Sequence, residues 1–207
     1  ALLACTPPAV SGVTGREDKA QIKAKAAEDR RGGQARAKDE PGIYWLPLAD
    51  LGPRVTWLGA GLKSTAYHEA VPGHHFQLSI QQESPELPRY RKLGVFGFNS
   101  AYIEGWALYS ERLAAENGWY DGDLPGKLGF LQLQLFRARR LVADTGLHAM
   151  KWTRQQVIDF GFTPQEAERY IVWPGQACSY MIGQLRILEL RAKAQAVPKM
   201  AGLDLAK

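Results

Sequence analysis

The chain has 207 residues, a formal net charge of +5 and 45% hydrophobic content, enough to bury one sizeable core. The excess charge is spread along the sequence and no basic run is interleaved with aromatic residues, so no nucleic-acid partner is expected. No stretch approaches the ~20 consecutive apolar residues of a membrane span, so no transmembrane segment is expected.

Residues 1–40 read as a polar N-terminal segment or linker, in which Lys19, Lys23, Lys25, Arg30, Arg31, Arg36 and Lys38 alternate with acids. Leu2-Leu3-Ala4-Cys5 has the form of the end of a bacterial lipoprotein signal, whose cysteine becomes the lipidated first residue; a chance cysteine in an apolar terminus is the alternative. The corresponding location is the bacterial cell envelope or periplasm with a lipid anchor, and otherwise the cytoplasm. Cys178 is the only other cysteine, and it reads as a small buried apolar residue rather than a disulfide partner.

Residues 41–207 read as one mainly α domain with a small strand element. Ile43-Tyr44-Trp45-Leu46 and Val55-Thr56-Trp57-Leu58, separated by Pro47, Gly52 and Pro53, have the composition of two short strands or a hairpin. Ser64 or Thr65 is placed to cap a helix that runs through Glu69 and, past a break, to about Gln82. Asn99 or Ser100 caps the next, which reaches Glu116 and stops at Asn117-Gly118. A longer helix spans about Leu124 to Met150, Thr153 caps another, and Thr163-Pro164-Gln165-Glu166 is a cap with proline in the first turn. The last helix covers about Gln176 to Ala196, which makes five or six in all.

His68-Glu69-Ala70-Val71-Pro72-Gly73-His74-His75 gathers three of the four histidines of the chain beside a carboxylate. Neutral imidazoles hold a metal, and a neighbouring carboxylate takes a proton from water, so the segment has the residue types of a zinc hydrolase. The common His-Glu-x-x-His spacing is absent, because Pro72, after Val71, stands where the second imidazole should be. On an unbroken helix turning about 100° per residue, His75 would return to the face of His68. Pro72 and Gly73 disfavour such a helix, and a two-residue bulge would return His74 instead. The reading prefers His74.

These residues, together with Tyr102-Ile103-Glu104-Gly105-Trp106-Ala107-Leu108-Tyr109, Arg140-Leu141-Val142-Ala143-Asp144-Thr145-Gly146-Leu147-His148, Arg169-Tyr170 and Pro174-Gly175-Gln176-Ala177, resemble successive blocks of the bacterial family called domain of unknown function 885. That family looks like a distant relative of helical zinc peptidases of the gluzincin type, among them angiotensin-converting enzyme, the thimet-type oligopeptidases and the Taq-type carboxypeptidases. The resemblance implies a zincin-like helical catalytic domain with a strand beside the zinc helix, near Tyr44, that pairs with a peptide substrate. It also implies that the remainder of a longer parent chain is missing.

By the same resemblance, His68, His74 and Glu104 hold one zinc ion and Glu69 is general base and acid. For Glu104 the alternative is a buried carboxylate paired with an arginine such as Arg140. Glu111 lies nearly on the same helical face and reads as a surface charge, with a supporting partner to a ligand histidine as the alternative. Two tyrosines compete as oxyanion donor, Tyr170 of the Arg169-Tyr170 pair and Tyr180 after the Pro-Gly segment. Arg169, His148 and Gln176 are candidate substrate-binding residues, against helix-end roles for His148 and Gln176. The activity implied is peptide hydrolysis, with another amide or ester, or a metal-binding module without activity, as alternatives.

Overall fold

The computed structural model describes residues 55–94 and 99–196, all within the unit Leu48–Lys207. Through them run α1 (Val55–Glu69), α2 (His74–Glu83), α3 (Arg89–Leu93), α4 (Ser100–Glu116), α5 (Leu124–His148), α6 (Arg154–Asp159), α7 (Pro164–Val172) and α8 (Gln176–Gln195). The class is mainly α, with no strand among the described residues.

Short polar side chains start four of the helices by accepting from backbone N–H groups that have no partner in the first turn. Asn99 accepts from Ala101 and Tyr102 to start α4, and Asp123 accepts from Gly126 to start α5. Thr153 and Gln156 form a reciprocal capping box on α6, and Thr163 caps α7 with Pro164 in its first turn. Gly118 ends the turn after α4 at φ 74°, a conformation open to glycine without strain.

Two sequence expectations are corrected. Val55-Thr56-Trp57-Leu58 is not a strand but the first turn of α1, and its proposed partner Ile43–Leu46 lies outside the described residues, as do Tyr44, Cys5 and the segment 1–40. β-Branched and aromatic residues favour strands only weakly, and tertiary packing overrides that preference. Ser64 and Thr65 are interior to α1 and cap nothing. The Thr65 hydroxyl bonds back to the Gly61 carbonyl, whereas Ser64 is fully buried and faces α4.

The principal contact joins α4 to α8, with α1 and α5 packed together beside them. Helices α4 and α8 cross backbone against backbone at Gly105 and Gly183. A Cβ on Gly105 would strike the Gly183 backbone, and one on Gly183 would strike the Ala101 carbonyl. One apolar cluster, built on Ala143, Val157, Phe162, Ala167, Tyr170 and Ala177, joins α5 to α8. A smaller one joins Ala114, Tyr120 and Phe130, with Tyr67 against it.

Candidate metal centre

Pro72 and Gly73 interrupt the helix that carries His68, and the way they do so places His74. Helix α1 ends at Glu69 and α2 begins at His74, with a cis peptide between Val71 and Pro72, so the break is a full interruption rather than a bulge. The Pro72 carbonyl accepts from Trp106 Nε1 at 2.8 Å and Ser110 Oγ at 3.1 Å, which pins the break to α4. Gly73 lies so close to the end of α1 that a Cβ there would collide with the His68 and Tyr67 carbonyls. Only glycine fits that approach.

The result is convergence of three side chains from three helices. Glu104 Oε2 on α4 lies 3.4 Å from His68 Nε2 and 3.3 Å from His74 Nε2. These separations match the edge of a tetrahedron whose bonds are the ~2.0–2.1 Å of zinc to histidine or carboxylate, about 3.3–3.4 Å. Glu104 Oε2 is sealed from solvent without a hydrogen bond of good geometry, as expected of an atom meant for a cation. His75 is exposed and does not join the group.

Glu111 is corrected from a surface charge. It is 1% exposed, its Oε1 lies 2.7 Å from His68 Nδ1, and its Oε2 accepts from Ser64 Oγ at 2.7 Å. An ionised carboxylate only accepts, so Nδ1 of His68 carries the proton and Nε2 faces Glu104 and His74. Burial works against the His68 imidazolium, but the Glu104 and Glu111 carboxylates on its two nitrogens outweigh it and hold it at about 9. Burial likewise opposes ionisation of Glu104, and the two imidazoles overcome that and hold it well below the usual carboxylate range. Nδ1 of His74 is sealed without a partner among the described residues.

Glu69, the last residue of α1, is half-buried and makes no hydrogen bond or ion pair with a described residue; its charge is felt at His68. Tyr180 is buried with its ring alongside His68, centroids 6.2 Å apart and planes at 23°, and its hydroxyl bonds to no described residue. Tyr170 sits elsewhere. Its hydroxyl donates to Glu166 at 2.6 Å and receives from Arg140 Nε at 3.1 Å.

The candidate substrate-binding residues are committed to a joint between α5, α7 and α8. Arg169 donates to Gln176 Oε1 at 2.8 Å, and a ring nitrogen of His148 meets the Tyr170 carbonyl at 2.8 Å. Asp144 accepts from the Gly175 N–H that opens α8. Arg140 pairs with Glu166 at 2.8 Å, not with Glu104. This joint orients α8, and with it Tyr180 and Gly183. Cys178 is free and buried; burial and the nearby Asp144 push its thiol up to about 11.

Sequence reasoning missed Ser64 and undervalued Glu111. Their signal was present as spacing: Ser64 and His68 lie one turn apart on α1, and Glu104 and Glu111 two turns apart on α4.

Residues 16–204 match the family described as "Bacterial protein of unknown function (DUF885)", and the chain belongs to it. It is similar to the structure of a "putative lipoprotein" from Colwellia psychrerythraea, with 46% identity and a TM-score of 0.69 over 81% of this chain and 29% of that one. A "putative lipoprotein of unknown function" from Shewanella oneidensis shares the fold at 21% identity and a TM-score of 0.62, over 94% of this chain and 42% of that one. The chain therefore spans less than half the length of either structure. No curated protein matches it. No helix among the described residues is long and apolar enough to cross a membrane.

Proposed function

We propose that this domain is the metal-binding catalytic part of a zinc-dependent peptidase. The observation that carries the reading is the approach of Glu104 Oε2 to both His68 Nε2 and His74 Nε2 at tetrahedral-edge spacing, backed by the Glu111 carboxylate on the far side of His68. Two imidazoles and one carboxylate are three protein ligands, the number that suits zinc in a catalytic rather than a four-ligand structural site. A cation held there supplies polarisation of a carbonyl oxygen and a lowered pKa for water.

The chain's own residues supply the rest. Glu69 accepts a proton from water and returns it to the leaving amine, a role open to it because no described residue engages its carboxylate. Tyr180 rather than Tyr170 donates to the carbonyl oxygen as negative charge develops, since the Tyr170 hydroxyl is already taken by Glu166 and Arg140. The reading extends to lipid anchoring in the cell envelope, on Leu2-Leu3-Ala4-Cys5 and on the description both structural relatives carry.

Metal analysis and turnover test it together. Purified chain should hold about one equivalent of zinc, and His68→Ala or Glu104→Ala should lose most of it. Glu69→Gln should keep the metal while cleavage of a quenched peptide falls by orders of magnitude. Full zinc in both ligand mutants would remove the site, and zinc without turnover in the native chain would leave a metal-binding module.

A further inference from the structure

Three donors on α5 are sealed from solvent with no acceptor among the described residues: Gln134 Nε2, Arg137 Nε and Arg140 Nη1. They recur every three residues and so lie along one side of the helix. Arg140 is 2% exposed and has its other nitrogens occupied by Tyr170 and Glu166. Arg137 is half-buried with its Nε sealed, and it forms no ion pair with a described residue, although the charges of Glu111 and Glu104 are felt there. Its guanidinium lies 4.6 Å from the Tyr180 ring centroid and 5.4 Å from that of Phe136. Arg140 lies 5.1 Å from the same Tyr180 centroid, so two like charges share one ring. Burial first, and then the neighbouring Arg140, pull the Arg137 pKa down, yet a guanidinium stays charged near neutral pH.

Ring faces offset only part of the cost of a cation held out of water; an anion is the full complement. The Tyr180 ring that carries both arginines is the one lying alongside His68. An extended peptide advances about 3.3–3.6 Å per residue, so a carboxylate one or two residues past the cleaved bond lies on the order of 4–7 Å from it. The Arg137 guanidinium lies 4.6 Å from the Tyr180 ring centroid, which itself lies 6.2 Å from that of His68, so a carboxylate set against Arg137 on the side of the metal centre can fall within about 7 Å of His68.

We propose that Arg137, backed by Arg140, receives a carboxylate of the substrate one or two residues beyond the metal centre. The inference rests on the peptidase reading and gives it a substrate class, a peptide with a free C-terminus or with an acidic side chain in that place. A guanidinium fits the two carboxylate oxygens in a bidentate pair, which an amide cannot match.

The zinc-loaded full chain carrying Glu69→Gln is titrated calorimetrically with an N-acetyl dipeptide, with its C-terminal amide, and with a dipeptide amide ending in glutamate. The acid should bind at least ten-fold more tightly than the plain amide. Arg137→Gln should abolish the difference with zinc content and melting temperature unchanged, and Arg137→Lys should keep part of it. If the glutamate-ended amide equals the acid, the site takes either carboxylate; if it alone is tighter than the plain amide, the carboxylate is a side-chain one; if it equals the plain amide while the acid is tighter, it is the C-terminal one. Equal binding of acid and plain amide, with the glutamate-ended amide no tighter, overturns the inference, as does a preference that survives Arg137→Gln. Should Arg137→Gln not fold, the comparison of the three peptides decides alone. Cleavage is read separately with Glu69 intact: absence of turnover with the preference preserved removes the peptidase reading and leaves the anion site, whereas turnover without the preference does the reverse.

Discussion

His68 is held at both ring nitrogens by carboxylates of one helix, Glu104 and Glu111, and the two contacts have different consequences. Glu111 is sealed between His68 and Ser64, so Glu111→Gln keeps the shape but loses the charge that fixes the proton on Nδ1. Zinc affinity should fall roughly 10–100-fold, measured by competition with a chromophoric chelator, and unchanged affinity would deny Glu111 that role. The pH dependence of the metal-free chain follows from the same contacts. His68 titrates at about 9 against an unfolded reference of 6.5, so its charged form stabilises the fold fully below about 6.5, and that contribution is lost as pH rises through about 9. In chelator the melting temperature should drop between pH 6.5 and 9.5. With zinc the sign reverses, because the proton must leave Nε2 for metal to bind, and affinity should rise over the same window. A melting temperature in chelator that climbs with pH would contradict the arrangement.

At the scale of elements, the site depends on how closely helices approach. Glu104 is adjacent to Gly105, so the Gly105–Gly183 crossing sets how near Glu104 comes to α1. Gly183→Ala would push a methyl group into the Ala101 carbonyl. Overpacking of this kind costs about 1–3 kcal/mol, and the separation of α4 from its neighbours should weaken zinc binding as well. Melting and metal competition on that variant check both effects, and an unaltered protein would mean that the helices part without cost. The caps at Asn99, Thr153 and Thr163 were legible in the sequence because they are local: a side chain meets an N–H two or three residues away. The strand expected at Val55–Leu58 and the cap expected at Ser64 failed for the opposite reason, since the length of α1 and the direction of Ser64 are decided by packing on α4 and α5.

For the molecule as a whole, a metal that binds only the folded chain stabilises it by mass action, by about 4 kcal/mol at a thousand-fold excess over Kd. For a chain of this size that corresponds to a rise of roughly 10 °C in melting temperature, reversed by chelator and absent in His68→Ala. A shift retained in that mutant would place the metal elsewhere. The helical class, most helix boundaries from α4 to α8 and the residue types of the site were readable from the residues alone. Those signals are short-range, written in caps, breakers and one histidine-rich segment. It took the packing of the helices to show that His74 and not His75 meets Glu104, that Glu111 is sealed behind His68, that the Tyr180 ring lies alongside His68 while the Tyr170 hydroxyl is held by Glu166 and Arg140, and that Arg137 lies against Tyr180 without forming an ion pair with a described residue. Each depends on residues about thirty to a hundred positions apart meeting across helix contacts. No local pattern encodes where those contacts fall.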